Sequence, residues 1–152
     1  MGIFSAINIA SSGMSAQNVR KDVIANNIAN ANTTRTPEGG PFRRSRTILR
    51  TRDSQPYWRS PFLPEALDNG IGTGVVVDKI EKDMGDTRLV YDPTHPDAHK
   101  AGKLAGYVEY PNVNVMQEMV DMTEVQRAYE ANARMVDGSK SMYKSVVDLL
   151  RG

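Results

Sequence analysis

The segment His95-Pro96-Asp97-Ala98-His99, which follows Asp92, is the strongest candidate for chemistry in this sequence. Two imidazoles and a carboxylate at this spacing could bind a zinc or iron ion. These are the chain's only two histidines, however, and Pro93 and Pro96 favour a turn. The simpler interpretation is a surface turn with exposed histidines, and we expect no metal site here.

A cluster of basic and aromatic residues could contact the phosphates and stack on the bases of a nucleic acid. Its members are Arg43, Arg44, Arg46, Arg50, Arg52, Tyr57, Trp58 and Phe62. The charge pattern favours another interpretation. Segment 35–59 holds seven arginines and two acidic residues, net +5, whereas segment 62–99 holds eight acidic and three basic residues, net −5. We therefore expect the arginines to pair with acidic neighbours, and such opposite poles suit head-to-tail contact between similar subunits.

Other signatures of catalysis are weak or absent. Segment 70–74 is rich in glycine, but neither a Lys-Ser/Thr pair nor a helix follows it, so it does not match a phosphate-binding loop. No nucleophile elbow is present, and the chain has no cysteine that could serve as a nucleophile or metal ligand. We expect no enzyme activity, no catalytic residue and no cofactor.

Composition limits the remaining classes of protein. The chain has 152 residues, a net charge of +1 and a hydrophobic content of 39%. Near-neutral charge argues against non-specific binding to nucleic acid or anionic lipid. No apolar run is long enough for a transmembrane helix, and the N-terminus lacks the basic start and apolar centre of a secretory signal. The low apolar content suggests that some elements are buried only in an assembly.

Proline positions divide the chain into helical ends and a β-rich middle. All eight prolines lie between Pro37 and Pro111, and proline disrupts helices. Short runs of β-forming residues predict strands at 47–51, 74–80, 87–91 and 105–110. We therefore predict an α+β fold with two domains. Residues 1–33 and 112–152 form a discontinuous antiparallel coiled coil, and the β-rich domain 34–111 is inserted between its helices.

The C-terminal segment shows the strongest periodicity. Steps of four and three residues from Val115 to Leu150 meet an apolar residue at nine of eleven positions, the pattern of a heptad seam. Asn114 is placed to cap this helix. A second apolar stripe lies beside the seam and contains Val125, Ala128, Met135, Met142, Val146 and Leu149. One partner helix covers one seam, so the second stripe is available for association with other copies.

The N-terminal segment has the same periodicity at seven of nine positions from Ile3 to Ala31. The last residues of this segment include asparagines at positions 26, 27, 30 and 32. Two interpretations carry equal weight: a helix end, or polar residues buried in a seam, where asparagine sets the register of the helices.

These patterns resemble the axial proteins of the bacterial flagellum. Segments 12–17 (SGMSAQ) and 25–33 (ANNIANANT) are similar to a signature of rod and hook subunits. Segments 91–98 (YDPTHPDA), 106–114 (GYVEYPNVN), 118–122 (EMVDM) and 127–132 (RAYEAN) are similar to proximal-rod subunits of the FlgC type. Segment 53–67 looks like an insertion relative to the shortest members.

The resemblance implies a structural protein of the basal body. Subunits of this kind are exported without a cleaved signal through the flagellar export apparatus and polymerise in the periplasm. Their terminal helices form the tubular rod, which transmits torque and encloses the export channel. The expected partners are other rod subunits, copies of this chain and the export apparatus, with no nucleic acid and no membrane insertion. A different rod or hook subunit, or a coiled-coil adaptor binding nucleic acid through residues 43–52, is the alternative.

We expect helix-packing contacts, within or between subunits, at a set of residues from both ends of the chain. They are Ile7, Met14, Ile24, Asn27, Ile28, Asn30, Met119, Met122, Tyr129, Asn132, Val136, Tyr143, Val147 and Leu150.

Overall fold

The computed structural model describes residues 3–52 and 72–151. Helix α1 spans Ile3–Ala29 and helix α2 spans Val115–Arg151. The described residues between them form four strands: β1 (Ser45–Thr51), β2 (Val75–Lys82), β3 (Arg88–Tyr91) and β4 (Tyr107–Tyr110). This order confirms the predicted α+β class, with long terminal helices around a small β region. Segment 53–67, including Tyr57, Trp58 and Phe62, lies outside the described residues.

Side-chain caps explain why α2 begins and α1 ends where the sequence predicts. Asn114 Oδ1 accepts hydrogen bonds from the backbone nitrogens of Met116, at 3.1 Å, and Gln117, at 3.5 Å, so it satisfies donors that the first turn leaves free. At the end of α1, Asn30 donates from Nδ2 to the backbone oxygen of Asn26 at 3.0 Å. The Thr33 hydroxyl then bonds to Asn30 Oδ1, which begins the turn out of the helix.

The strands form two two-stranded sheets, β1–β2 and β3–β4. β3 and β4 are antiparallel, and Tyr91 is opposite Tyr107 in the register. Because side chains alternate between faces of a strand, Val108 faces inward and is fully buried, whereas Tyr91 and Tyr107 share the outer face. Their rings make an edge contact with centroids 5.2 Å apart.

The chain divides into two compact units. The first unit comprises Met1–Val19, Ile48–Lys79 and Val125–Gly152. Within it the Phe4 and Tyr143 rings lie 6.1 Å apart, and Gly13 lies against Asn132, so the two helices run antiparallel here as predicted. Gly13 permits this approach, because an added Cβ would lie 2.8 Å from Asn132 Nδ2.

Strand β2 is fastened to α1 within the first unit by Ser12. The Ser12 hydroxyl donates to the Ile9 backbone oxygen at 2.7 Å and accepts from the Val75 nitrogen at 3.1 Å. Gly74, which precedes the strand, has a φ of 111°, and a Cβ there would lie 2.2 Å from Ser12 Oγ. Only glycine allows both this backbone conformation and this approach.

The second unit comprises Arg20–Thr47 and Ile80–Glu124. Its buried apolar residues include Ile24, Ala31 and Val108, and Pro111 is also fully buried. Two polar side chains, Asn27 and Glu118, are buried among them, with exposures of 1% and 0%. The core of this unit is therefore specified by polar contacts as well as by apolar packing.

Burial on α2 follows one edge of the second predicted stripe rather than the predicted seam. Glu118, Val125 and Ser139 are at most 2% exposed and are separated by multiples of seven residues. Asn132, at the intervening heptad position, is half-buried. Val125 belongs to the second stripe, and Asn132 and Ser139 are polar residues at the next two heptad positions of the same stripe. The contacts within the chain therefore use small and polar side chains, such as Gly13 against Asn132, more than large apolar ones.

Candidate subunit interface

A buried polar cluster in the second unit holds α1, β1 and α2 together. Asn27 pairs with the backbone of Ser45: its Oδ1 accepts from the Ser45 nitrogen and its Nδ2 donates to the Ser45 oxygen, both at 2.9 Å. The same Nδ2 donates to Glu118 Oε2 at 3.0 Å. The amide thus replaces a neighbouring strand for one residue of β1 and orients the carboxylate of α2.

Arg44 supplies the countercharge in this cluster. Its Nε lies 2.6 Å from Glu118 Oε1, and a terminal nitrogen lies 3.2 Å from Asp121 Oδ2. A carboxylate that is fully buried is tolerated only when it is paired and hydrogen-bonded, and Glu118 has both kinds of partner. Arg44 is itself held, because Asn112 Oδ1 accepts a hydrogen bond from its backbone nitrogen. The cluster fixes the start of α2 relative to β1.

A polar cavity of about 300 Å³ adjoins the cluster. Its lining includes Arg20, Arg44, Thr47, Gln117 and Asp121. Among the residues that the structure describes, Thr47 Oγ1 is the buried side-chain atom that lacks a hydrogen-bond partner. The cavity is polar and large enough for water, which could satisfy this hydroxyl.

The histidine segment forms a hydrogen-bonded turn in the second unit. His95 Nδ1 accepts from the Asp97 backbone nitrogen at 3.1 Å, and His99 Nε2 lies 3.3 Å from Glu109 Oε1. The Asp97 carboxylate accepts from the Thr34 hydroxyl at 2.8 Å. Across residues 3–52 and 72–151, no three potential ligands of a metal ion converge. His95 bonds to the backbone of Asp97, His99 lies against Glu109, and the Asp97 carboxylate bonds to Thr34, so the three side chains have three different partners.

Asp92, at the start of the same turn, is half-buried, and its carboxylate has a lowered pKa. The Thr94 hydroxyl donates to Asp92 Oδ1 at 2.6 Å, and the Thr94 backbone nitrogen donates to the same oxygen at 3.0 Å. These bonds stabilise the charged form and hold the pKa of Asp92 below its ordinary value, the hydroxyl bond having the larger effect.

The described arginines of the predicted nucleic-acid cluster are largely engaged within the protein. Arg44 binds Glu118 and Asp121, Arg50 Nε lies 3.2 Å from Asp78 Oδ1, and Arg43 donates to the Gly85 backbone oxygen. Arg44 and Arg50 thus pair with acidic residues, as the charge pattern predicts, whereas Arg43 bonds to a backbone oxygen.

Helix α2 carries an exposed apolar surface in the first unit. Met135, Met142, Val146 and Leu149 follow one face of the helix, with exposures of 61%, 59%, 49% and 83%. We call these four residues the α2 stripe. They belong to the second stripe of the sequence analysis. Exposed apolar patches of this kind mark sites of protein–protein interaction.

The residues predicted to make helix contacts differ in burial. Ile24 and Asn27 are buried. Met119, Tyr129, Tyr143 and Leu150 are exposed. The others are half-buried: Ile7, Met14, Ile28, Asn30, Met122, Asn132, Val136 and Val147. Their role between subunits stays a prediction.

Sequence reasoning did not identify Glu118 and Arg44 as partners. Arg44 was among the arginines expected to pair with acidic neighbours, but the sequence did not indicate which acidic residue it contacts. The pair is separated by 74 positions, so no local spacing relates the two residues. The available signal was an acidic residue next to the apolar positions of the helix.

Comparison with known proteins identifies the family. A family model described as "Flagella basal body rod protein" matches residues 7–35, and one described as "Flagellar basal body rod FlgEFG protein C-terminal" matches residues 104–149. The flagellar basal-body rod protein FlgC of Borreliella burgdorferi is 56% identical over 152 residues, covering all of both chains. The chain belongs to the FlgC family.

Other FlgC proteins are similar over nearly the same span. The Bacillus subtilis protein is 37% identical, with 98% of this chain and 99% of the relative covered. The protein of Escherichia coli O157:H7 is 33% identical, with 98% of each chain covered. The two segments of this chain that match the family models contain most of α1 and most of α2. The second segment also contains β4. Within the described residues, neither helix has a stretch apolar and long enough to span a membrane.

Proposed function

We propose that this chain is a structural subunit of the flagellar basal-body rod and that it polymerises with other rod subunits through its terminal helices. The relatives are named as basal-body rod proteins, and the similarity covers the whole chain. In this role the protein is not an enzyme. Its partners are copies of itself and other subunits of the proximal rod.

The observation that carries the mechanism is the α2 stripe. Covering a large apolar side chain contributes about 1.5–3 kcal/mol, so the four residues together could contribute roughly 6–12 kcal/mol to association. In a monomer this free energy is unused, because the stripe lies on an exposed helix face. A neighbouring helix that covers the stripe would bind tightly enough to form a stiff polymer.

The polymer would be a tube that acts as drive shaft and export channel. Residues 1–33 and 112–152 supply its helical wall in this proposal, and residues 34–111 supply outer contacts. The subunit would reach the periplasm through the flagellar export apparatus without a cleaved signal.

A charge introduced on the α2 stripe tests the proposal. Met142→Asp places a carboxylate where a neighbouring subunit should pack, so we expect at least about tenfold less of this variant in isolated basal bodies, with loss of motility. The matched control is Lys144→Asp, since position 144 is exposed on the opposite side of α2 from Met135. Circular dichroism should show equal helix content for both variants.

Two results would contradict the proposal. Normal motility of the Met142→Asp strain would exclude assembly through this face. Basal bodies that lack the wild-type chain altogether would exclude the rod function itself.

A further inference from the structure

The loop between β2 and β3 presents an unusually exposed methionine on a rigid backbone. Met84 is 77% exposed, although it lies in the second unit between strands β2 and β3. The Asp83 backbone nitrogen donates to the Arg44 oxygen at 2.7 Å, and Asp83 Oδ1 accepts from the Gly85 nitrogen at 3.0 Å. Arg43 also donates to the Gly85 backbone oxygen. A large apolar side chain held in place before binding loses little entropy when a partner covers it.

The first unit contains a groove that suits such a side chain. It lies between α1 and β2, has a volume of about 290 Å³, and is lined on its apolar side by Ala16, Val19, Val75, Val76 and Val77. We call it the α1–β2 groove. Its volume suits one long side chain rather than a helix or strand. Methionine adapts well to irregular apolar sites of this kind.

The charge and the spacing of residues in the Met84 loop also match those of the α1–β2 groove. Asp86 is exposed two residues after Met84, and Arg52 lines the groove. The Arg52 guanidinium has no hydrogen bond or ion pair with the residues that the structure describes. Arg52 lies opposite Gly74, two positions from Val76 on the neighbouring strand. Met84 and Asp86 are at most about 7 Å apart along the chain, and Val76 and Arg52 are about 8 Å apart across the two strands. With the length of the Asp86 and Arg52 side chains, Met84 can enter the groove while Asp86 meets Arg52.

We propose that the Met84 loop of one copy inserts into the α1–β2 groove of a second copy, with Asp86 paired to Arg52. This inference rests on the proposed rod function and specifies one of its contacts. Loop and groove are different surfaces, so the contact is head-to-tail. Each added copy leaves a further loop and a further groove open, which is the condition for an open-ended polymer.

A disulfide cross-link tests the contact directly, because the chain has no cysteine of its own. Two full-length variants, Met84→Cys and Val76→Cys, are produced together in a strain of the host bacterium from which the wild-type gene has been deleted. Isolated basal bodies are oxidised and analysed without reductant. We expect a band of two chains only when both variants are present, since a disulfide requires Cα atoms within about 7 Å.

The matched control replaces Met84→Cys by Tyr91→Cys. Tyr91 is also strongly exposed, at 65%, but it lies outside the loop and the groove, so this pair should give no dimer. A photo-reactive residue at position 84 provides a second readout, and its adduct should contain two copies of this chain.

A charge swap separates recognition from folding. In the cross-linking pair, Arg52→Asp or Asp86→Arg alone should lower the dimer yield about tenfold, because like charges then face each other. Both changes together should restore the yield to within about twofold. Damage to the fold would not be repaired by the second change.

The outcomes distinguish this inference from the proposed function. If the chain is present in basal bodies but the Met84–Val76 dimer is absent, the contact is refuted and the rod function stands. Equal yield from the Tyr91 control, or a photo-adduct with a different subunit, also refutes it. If basal bodies lack the chain, both proposals fail.

Discussion

Asn27 joins three elements of the second unit through one amide group. Its two bonds to Ser45 match the donor and acceptor of a strand residue, and its remaining donor binds Glu118. Because the amide is 1% exposed, removing the side chain leaves several buried polar groups without their protein partners. The position should therefore be far more sensitive to substitution than the other asparagines of α1.

We predict that Asn27→Ala destabilises the protein by about 2–4 kcal/mol. The substitution leaves the Ser45 backbone groups without their partner and removes a donor from a buried carboxylate. Denaturant unfolding followed by circular dichroism measures the effect. Asn18→Ala, at an exposed position of the same helix, is the control and should be neutral or slightly stabilising. Equal unfolding midpoints for the two variants would contradict the role assigned to Asn27.

We predict that Thr94→Ala raises the pKa of Asp92 toward its ordinary value. The hydroxyl bond from Thr94 is the main cause of the lowered pKa. A carboxylate with a lowered pKa contributes stability above its ordinary pKa, and this contribution is lost as the pH falls through the folded-state value. Titration of the carboxyl carbon by NMR measures the shift. An unchanged pKa in the variant would exclude this cause.

Sequence reasoning resolved only part of the asparagine cluster. Both proposed interpretations apply, but to different residues: Asn30 caps the end of α1, and Asn27 is buried against another helix. The local pattern indicates a helix end, so Asn30 could be predicted. Asn27 depends on Glu118, which is 91 positions away, and a single sequence gives no means of pairing them.

At the scale of elements, the ends of helices and strands follow from local chemistry. Asn114 and the absence of proline from the terminal segments predicted the bounds of α2 and α1. All four predicted strands are present, and their bounds differ from the prediction by a few residues. The buried face of α2 was harder to predict. Large apolar residues marked two stripes, but burial follows only the edge of the second stripe that contains Val125 and Ser139. Close contact with small residues of α1, such as Gly13, determined the face, and apolar periodicity does not report it.

The two helical glycines described in α1 and α2 should respond differently to alanine. Gly138 has no atom within 4 Å of an added Cβ, so Gly138→Ala should stabilise the protein by up to about 1 kcal/mol through helix propensity. At Gly13 the same Cβ would lie 2.8 Å from Asn132, and the gain should be cancelled or reversed. Thermal unfolding of both variants provides the comparison.

The double variant Gly13→Ala/Asn132→Ala is the control for this explanation. Removing the Asn132 side chain makes room for the Cβ, so part of the lost stability should return relative to Gly13→Ala. If Gly13→Ala stabilises the protein as much as Gly138→Ala, the two helices do not approach each other closely at Gly13, and this explanation is wrong.

At the scale of the whole molecule, the chain exposes more apolar surface than an isolated subunit needs. The α2 stripe and Met84 are examples from different units. The low hydrophobic content of the sequence already indicated that some elements are buried only in an assembly. Sequence reasoning could also predict the family, because its motifs occur in order over most of the chain. It could not predict which helix face serves the subunit itself and which serves its neighbours, since both faces carry apolar residues.

A cryo-electron microscopy map of the basal body from the host bacterium tests the central claim most directly. We expect this chain in the proximal rod, with the side chains of Met135, Met142, Val146 and Leu149 covered by helices of neighbouring subunits. A rod in which this chain is present but these four residues face solvent would contradict assembly through the α2 stripe. A map without the chain in the rod would contradict the proposed function.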